Sequence, residues 1–194
     1  MKEAIQTLLT SDKMAHAFEY LKQDEAHTID QQIELVQISS FSPFEEKRAI
    51  RFKELLTEAG LDPVMDEVHN VYAHIHGTGN GPTLYVSAHL DTVFPPETPL
   101  PVKREGTKIY APGIGDDTRG LAEILTLARA IKESGLKPVG DIIIGGNVGE
   151  EGLGDLRGMR HFFSKNADKV DGFISVDGAG CLICHGGKSE AKRS

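Results

Sequence analysis

The chain has 194 residues, 39% of them hydrophobic, which is enough for one domain with a substantial core or for part of a larger unit. Its formal net charge of −8 argues against nucleic acid as a partner. Two cysteines cannot build a disulfide framework, and no stretch has the apolar length of a signal peptide or a membrane span. We therefore predict a cytoplasmic protein with no membrane or nucleic-acid partner.

The first sixty or so residues have the apolar spacing of helices. One helical pattern runs over residues 2–22, with a break near Ser11 and Asp12, and a second covers residues 29–36. A third helix is predicted to end just before Gly60, a residue that commonly terminates helices.

The start of the third helix carries a capping pattern. Ser42 is predicted to be the N-cap, Pro43 the first helical residue, and Glu45 the acidic member of a capping box. This pattern predicts that Ser42 and Glu45 bond the free N–H groups of the first helical turn.

The rest of the chain alternates between strand-like and helix-like segments. Strands are predicted over residues 64–76 (as one strand or two), 83–88, 142–144 and 172–176, a hairpin over 102–110, and helices over 118–134 and 156–165. Such alternation is typical of an α/β fold. We predict three α/β/α layers around a mostly parallel central sheet.

Acidic and histidine residues follow the predicted strands or occupy the turn before a helix. They are His89, Asp91, Asp116, Asp117, Glu150, Glu151 and Asp177. In open α/β sheets, ligands bind at the carboxyl ends of the strands. If these ends converge, the carboxylates repel one another strongly unless cations are present.

A pair of divalent cations would balance this charge. Two-metal sites place the ions roughly 3.5–4 Å apart, so that one carboxylate bridges them. Imidazole and carboxylate ligands without thiolate suit zinc, with cobalt or manganese as substitutes. A further carboxylate beside a water bridging the two ions can accept its proton.

Four short motifs, spread over about 90 residues, resemble those of one enzyme family. They are His89-Leu90-Asp91, Pro112-Gly113-Ile114-Gly115-Asp116-Asp117, Glu150-Glu151-Gly152 and Ser175-Val176-Asp177-Gly178. In this order they are similar to the zinc exopeptidases and deacylases that include peptidase T, aminoacylase and glutamate carboxypeptidase. The resemblance implies an incomplete zinc-exopeptidase-like fold and a hydrolase acting on peptides or N-acyl amino acids. Tripeptide aminopeptidase, carboxypeptidase and deacylase activities all fit it.

The resemblance also implies a role for each site residue. His89 and Asp177 would bind one metal, Glu151 the other, and Asp116 would bridge them. Glu150 would be the general base, taking a proton from the water between the metals and passing it to the leaving amine. Two further implications are that Asp91 hydrogen-bonds the free nitrogen of His89, and that the Asp116–Asp117 peptide bond is cis.

The family continues well beyond the motifs found here. We expect residues 1–194 to be the N-terminal part of a catalytic domain, with residues 1–180 family-like and residues 181–194 an atypical tail. The lid domain and the returning half of the family, which supplies a further histidine ligand, have no match. A second hypothesis is therefore an inactive fragment that acts as a binding piece. An uncovered sheet edge would favour a homodimer.

Two weaker patterns are interpreted as chance or as surface features. The segment Cys181-Leu182-Ile183-Cys184-His185 matches a c-type haem attachment motif, but that chemistry requires export. His74 and His76 share one face of a predicted strand, and solvated side chains explain them.

Overall fold

A computed structural model of the chain describes residues 2–79 and 81–178. Its helices are α1 (Lys2–Leu9), α2 (Asp12–Gln23), α3 (Glu25–Val36), α4 (Glu46–Glu58), α5 (Thr118–Glu133) and α6 (Arg157–Asn166). Its strands are β1 (Val64–Met65), β2 (Val71–Ile75), β3 (Leu84–His89), β4 (Lys103–Glu105), β5 (Lys108–Tyr110), β6 (Ile142–Asn147) and β7 (Gly172–Ser175). The predicted atypical tail, residues 181–194, and its cysteine motif lie outside the described residues.

Five strands form one mixed sheet in the order β1-β2-β6-β3-β7. Strand β3 lies between β6 and β7 and is parallel to both, whereas β2 is antiparallel to β6 and β1 is antiparallel to β2. The carboxyl ends of β3, β6 and β7 therefore meet at one edge of the sheet. His89, the last residue of β3, pairs with Asn147 at the end of β6. The predicted α/β class is confirmed.

Helices cover both faces of this sheet. On one face, α4 and α5 pack through an apolar core that includes Phe52, Leu121 and Ile144. On the other face, Phe162 of α6 packs against Tyr85, with ring centroids 4.4 Å apart. Apolar residues recur every three or four positions in α5 from Leu121 onwards, so one side of this helix is buried against the sheet.

Helices α2 and α3 form an outer layer on α5, fastened by a buried ion pair. Asp24 lies at the junction of α2 and α3, and its carboxylate accepts hydrogen bonds from Arg129 at 2.9 and 2.5 Å. Arg129 also donates to Gln31 at 2.7 Å, and Thr126 donates to Asp24 at 2.8 Å. The two buried charges thus have polar partners on all sides, which offsets the cost of removing them from water.

The predicted break near Ser11 is confirmed, and the predicted capping box of the third helix is wrong. Ser11 caps α2 by accepting a hydrogen bond from the N–H of Met14. Helix α4 begins only at Glu46, and Ser42 precedes Pro43 through a cis peptide bond. The carboxylate of Glu45 makes no capping bond because it is buried and bonded to residues far along the chain.

The other strand and hairpin predictions are confirmed. Residues 64–76 contain two strands, β1 and β2, and residues 102–110 contain the β4–β5 hairpin. His74 and His76 stack with ring centroids 5.8 Å apart, and neither joins a cluster of potential metal ligands among the residues that the structure describes. Within the described ranges, no helix has both the length and the hydrophobicity needed to cross a lipid bilayer.

Candidate metal centre

His89 is the residue around which the candidate site is built. Its side chain is buried at the end of β3, and its Nε2 atom lies 2.8 Å from Asp116 Oδ1 and 3.9 Å from Asp177 Oδ1. Asp116 belongs to the turn before α5, and Asp177 follows β7. Both carboxylates are about half exposed, so this side of the site is open to solvent.

Two adjacent glutamates approach the same imidazole from the segment after β6. Potential ligand atoms of His89, Glu150 and Glu151 lie within 4.8 Å of one another. Those of His89, Asp116 and Asp177 meet the same criterion. The structure therefore brings five of the six predicted site residues into two triads that share one imidazole. One nitrogen and several carboxylate oxygens form a donor set that fits zinc, cobalt or manganese.

Asp91, the sixth predicted residue, lies behind these groups and is fully buried. Its carboxylate accepts hydrogen bonds from the backbone N–H groups of Glu150 at 3.0 Å and Glu151 at 2.8 Å. The nearest Asp91 atom to His89 Nδ1 is the backbone oxygen, at 3.0 Å, whereas Oδ1 lies at 3.6 Å. Asp91 is thus placed to orient both His89 and the glutamate pair.

Asp117 points away from Asp116, into the protein. The peptide bond between them is cis, as the family resemblance implied. Asp117 is buried and caps α5 by accepting from the N–H of Gly120 at 3.0 Å. Its other oxygen accepts from the backbone N–H of His89, also at 3.0 Å.

The crowding of charge at this edge shifts several pKa values. Burial disfavours a charged His89, but Asp91 and Asp117 outweigh it and raise the pKa of His89 to about 10. Burial raises the pKa of Asp117 to about 7. Burial also raises the pKa of Glu150 and of Glu151, and neighbouring carboxylates add to both shifts. Several perturbed pKa values within one cleft are typical of functional sites.

Comparison with known families decides where this chain belongs. A sequence model of Peptidase family M20/M25/M40 matches residues 85–192, more than half of the chain. The chain belongs to this family. The matched stretch begins within β3 and includes all six predicted site residues, and it extends into the tail that lies outside the described residues. The resemblance to zinc exopeptidases is confirmed at the level of the family.

Individual peptidases show the same likeness. Carboxypeptidase G2 of Pseudomonas sp. strain RS-16 is 38% identical over 110 residues, which cover 56% of this chain and 26% of that protein. Aminopeptidase PepT of Bacillus cereus matches with a TM-score of 0.67 and 25% identity, over 79% of this chain and 43% of PepT. The YXEP protein of Bacillus subtilis, a dinuclear metal-binding peptidase from the M20 family, shares the fold with a TM-score of 0.60 and 15% identity. The alignment covers 80% of this M20 chain and 44% of the YXEP chain.

A cavity of about 490 Å³ adjoins the candidate site of this M20 chain. The residues that line this cavity include Glu151 and Arg157. An apolar part of its wall is formed by Phe41, Pro43 and Val93. A larger cavity, of about 850 Å³, lies between the outer helices and α5, and none of the six predicted site residues lines it. The smaller cavity is therefore the one that a molecule bound at the candidate site would enter.

One residue near this site was missed by sequence reasoning. Glu45 is buried beneath the glutamate pair, although its position after Ser42 suggested a helix cap. The spacing of Glu45 from the apolar residues of α4 could have indicated that it is buried. Glu45 lies four residues before Ala49 and seven before Phe52, both on the buried face of α4, so it continues that face by one turn.

Proposed function

We propose that this M20 chain is the N-terminal part of the catalytic domain of a dinuclear zinc hydrolase, which cleaves peptide or N-acyl amide bonds next to a chain end. The convergence of five potential ligands on two triads sharing His89 carries this proposal. The peptidase relatives support the reaction class, and the dinuclear YXEP protein supports the number of metals.

The proposed ligand arrangement uses four of the five residues of the two triads, and Glu150 is kept for proton transfer. His89 and Asp177 would hold one ion, Glu151 would hold the other, and Asp116 would be a ligand of both. Asp116 lies 2.8 Å from His89 Nε2, and after burial its charge is the next cause that raises the pKa of Glu151, so it lies near ligands of both proposed ions. Zinc fits these donors best, and cobalt or manganese can replace it.

Proton transfer is assigned to Glu150. Zinc, when bound, supplies a Lewis acid that acidifies water and polarises the substrate carbonyl. The Glu150 carboxylate accepts a proton from the attacking water and then delivers it to the nitrogen of the leaving amine. Its raised pKa, caused by burial and then by Asp177 and other carboxylates, favours proton acceptance. The hydrogen bond from its N–H to Asp91 keeps Glu150 in place.

The adjoining cavity supports a preference for apolar groups beside the cleaved bond. Phe41, Pro43 and Val93 present hydrocarbon to the cavity. Arg157 is already paired with Glu45, so it offers little attraction to an acidic side chain. An apolar side chain or acyl group therefore fits this cavity best.

Zinc calorimetry tests the site independently of turnover. We expect the wild-type chain to bind zinc and Asp116→Ala to bind it at least tenfold more weakly, because the shared carboxylate is lost. Asp62→Ala is the matched control, since Asp62 is an exposed aspartate that belongs to neither triad. Unchanged zinc uptake by Asp116→Ala would contradict the assignment.

The chain spans between 26% and 44% of the length of the three peptidase relatives named above, so its hydrolytic activity is measured separately from zinc binding. Leucyl and aspartyl versions of a tripeptide and of an N-acetyl amino acid distinguish the substrate classes. We expect Glu150→Gln to lower turnover at least 100-fold while zinc affinity stays within a factor of two. Zinc binding without turnover would favour the second hypothesis, a non-catalytic binding piece.

A further inference from the structure

A buried carboxylate at the start of α4 contacts the segment that carries the glutamate pair. Glu45 has no exposed surface, and its Oε1 accepts a hydrogen bond from the backbone N–H of Gly149 at 3.2 Å. Its Oε2 accepts from Arg157 Nη2 at 2.5 Å. An unpaired buried carboxylate is costly, and these two contacts offset the cost of burying Glu45.

Arg157 links this carboxylate to the first residues of α6 and to the turn before α4. Its second terminal nitrogen, Nη1, donates to Ser42 Oγ at 3.1 Å. The guanidinium also packs directly over Gly149, where a Cβ atom would collide with it. Gly149 has a φ of +66°, which disfavours any side chain at this position. The local backbone is therefore fitted closely to Arg157.

Three successive backbone N–H groups are thus bonded to buried carboxylates. Glu45 accepts from Gly149, and Asp91 accepts from Glu150 and Glu151. We name residues 149–151 the glutamate loop. Fixing three consecutive amides fixes the peptide planes of the loop and the direction in which its two carboxylates leave the backbone.

We propose that Glu45 and Arg157 are positioning residues that hold the glutamate loop in the geometry required for metal binding, a role that rests on the proposed function. Neither touches the opposing ligands Asp116 and Asp177; both act through the backbone of Gly149. Ligands supported by an ordered outer layer lose less freedom when the ion arrives, and removing such support typically weakens binding about 10–100-fold.

The first test compares two neighbouring glutamates in zinc titrations. Glu45→Gln preserves shape but removes the charge opposite Arg157, and Glu46→Gln is the matched control because Glu46 is exposed. We expect about tenfold weaker zinc binding for Glu45→Gln and a change below twofold for Glu46→Gln. Less than a threefold loss for Glu45→Gln, or an equal loss in both variants, overturns the proposal.

A double variant separates positioning from general weakening of the fold. If Glu45 acts through the loop ligand, Glu45→Gln causes no further loss of zinc affinity in a Glu151→Gln background. The same loss in both backgrounds would mean a general structural effect and would overturn the proposal. Thermal unfolding confirms that each variant is folded at the titration temperature. Arg157→Lys replaces Glu45→Gln if the latter does not fold, because lysine lacks the planar fork.

Amide hydrogen exchange in the metal-free protein gives an answer that does not depend on zinc. We expect the Gly149, Glu150 and Glu151 amides to be protected in the wild type. In Glu45→Gln the Gly149 amide should exchange at least tenfold faster, while Glu46→Gln leaves it unchanged. Unprotected loop amides in the wild type overturn the proposal. If the wild type binds no zinc, the proposed function fails, and the exchange result alone decides the role of Glu45.

Discussion

The carboxylate of Asp117 accepts hydrogen bonds from the backbone N–H of His89 and from that of Gly120, each at 3.0 Å. One buried side chain thus joins the end of β3 to the first turn of α5. Asp116 directly precedes Asp117 in the chain. The two hydrogen bonds of Asp117 therefore also restrict the backbone of Asp116, whose carboxylate lies 2.8 Å from His89 Nε2.

Replacement of Asp117 is expected to affect stability and zinc binding together. Asp117→Ala removes the α5 cap, which costs about 1 kcal/mol of unfolding free energy, and it also frees the backbone of His89. Urea unfolding and zinc calorimetry measure the two effects. Ser11→Ala removes the comparable cap of α2 and should lower stability without changing zinc affinity. Equal zinc affinities in the wild type and Asp117→Ala would contradict the link to His89.

Zinc is expected to raise the melting temperature through the ligand supplied after β7. Zinc at 100 times its dissociation constant should stabilise the chain by about 2.7 kcal/mol, or by about 5–10 °C for a protein of this size. Asp177→Asn should show less than half of that shift, because it weakens one of the triads. Asp168→Asn, at an exposed position after α6, should keep the full shift. Identical shifts in the two variants would remove Asp177 from the site.

The outer helices should detach more easily when the buried ion pair is broken. Asp24→Asn leaves Arg129 without its charged partner, and we expect a loss of about 3 kcal/mol in unfolding free energy at neutral pH. Asp30→Asn breaks an exposed pair with Arg104 and should change stability by less than 1 kcal/mol. Urea denaturation of both variants measures the difference.

The same pair predicts how stability depends on pH. Burial alone would raise the pKa of Asp24, but hydrogen bonds from Arg129 and Thr126 lower it below the ordinary value of 3.8. The stabilisation from this carboxylate is therefore complete above pH 3.8 and is lost as the pH falls through the folded-state pKa. Urea denaturation at pH values from neutral to strongly acidic measures the difference in unfolding free energy between the wild type and Asp24→Asn. This difference should narrow only in the acid range. A difference that stays constant at all pH values would contradict this account.

Strand β7 is expected to promote self-association. Among the described residues it pairs only with β3, and Phe173 and Ile174 are 42% and 48% exposed. An uncovered strand edge with apolar side chains favours pairing with another chain. Light scattering should show association of the wild type that decreases in Ile174→Lys. Val64→Lys, at an equally exposed position on the opposite edge strand β1, should have a smaller effect. A monomeric wild type would contradict the prediction.

Elements with strong periodicity were predictable from the sequence. Helix α5 repeats apolar residues at helical spacing, and β3 and β6 are short apolar runs ending at polar residues. The convergence of His89 with Glu150 and Asp177 followed from one general rule, that parallel strands present their carboxyl ends at the same edge. Their assignment to particular metals stays a prediction.

Long-range pairing could not be predicted in the same way. Local periodicity does not encode which strands are neighbours, so the insertion of β6 between β2 and β3 was not visible in the sequence. Glu45 shows the same limitation for a side chain. Its local context indicated a capping residue, but the partner that determines its conformation, Gly149, is 104 residues away.

The wide separation of His89 and Asp177 along the chain has a consequence for biosynthesis. An ion that needs both residues cannot be captured until β7 has emerged from the ribosome and docked beside β3. Cobalt absorption depends on the ligands of the ion. The time at which this absorption appears would therefore report when β7 docks beside β3, the last step of sheet assembly. Nascent chains that stop before this strand should show less cobalt absorption than the full chain, because they lack Asp177.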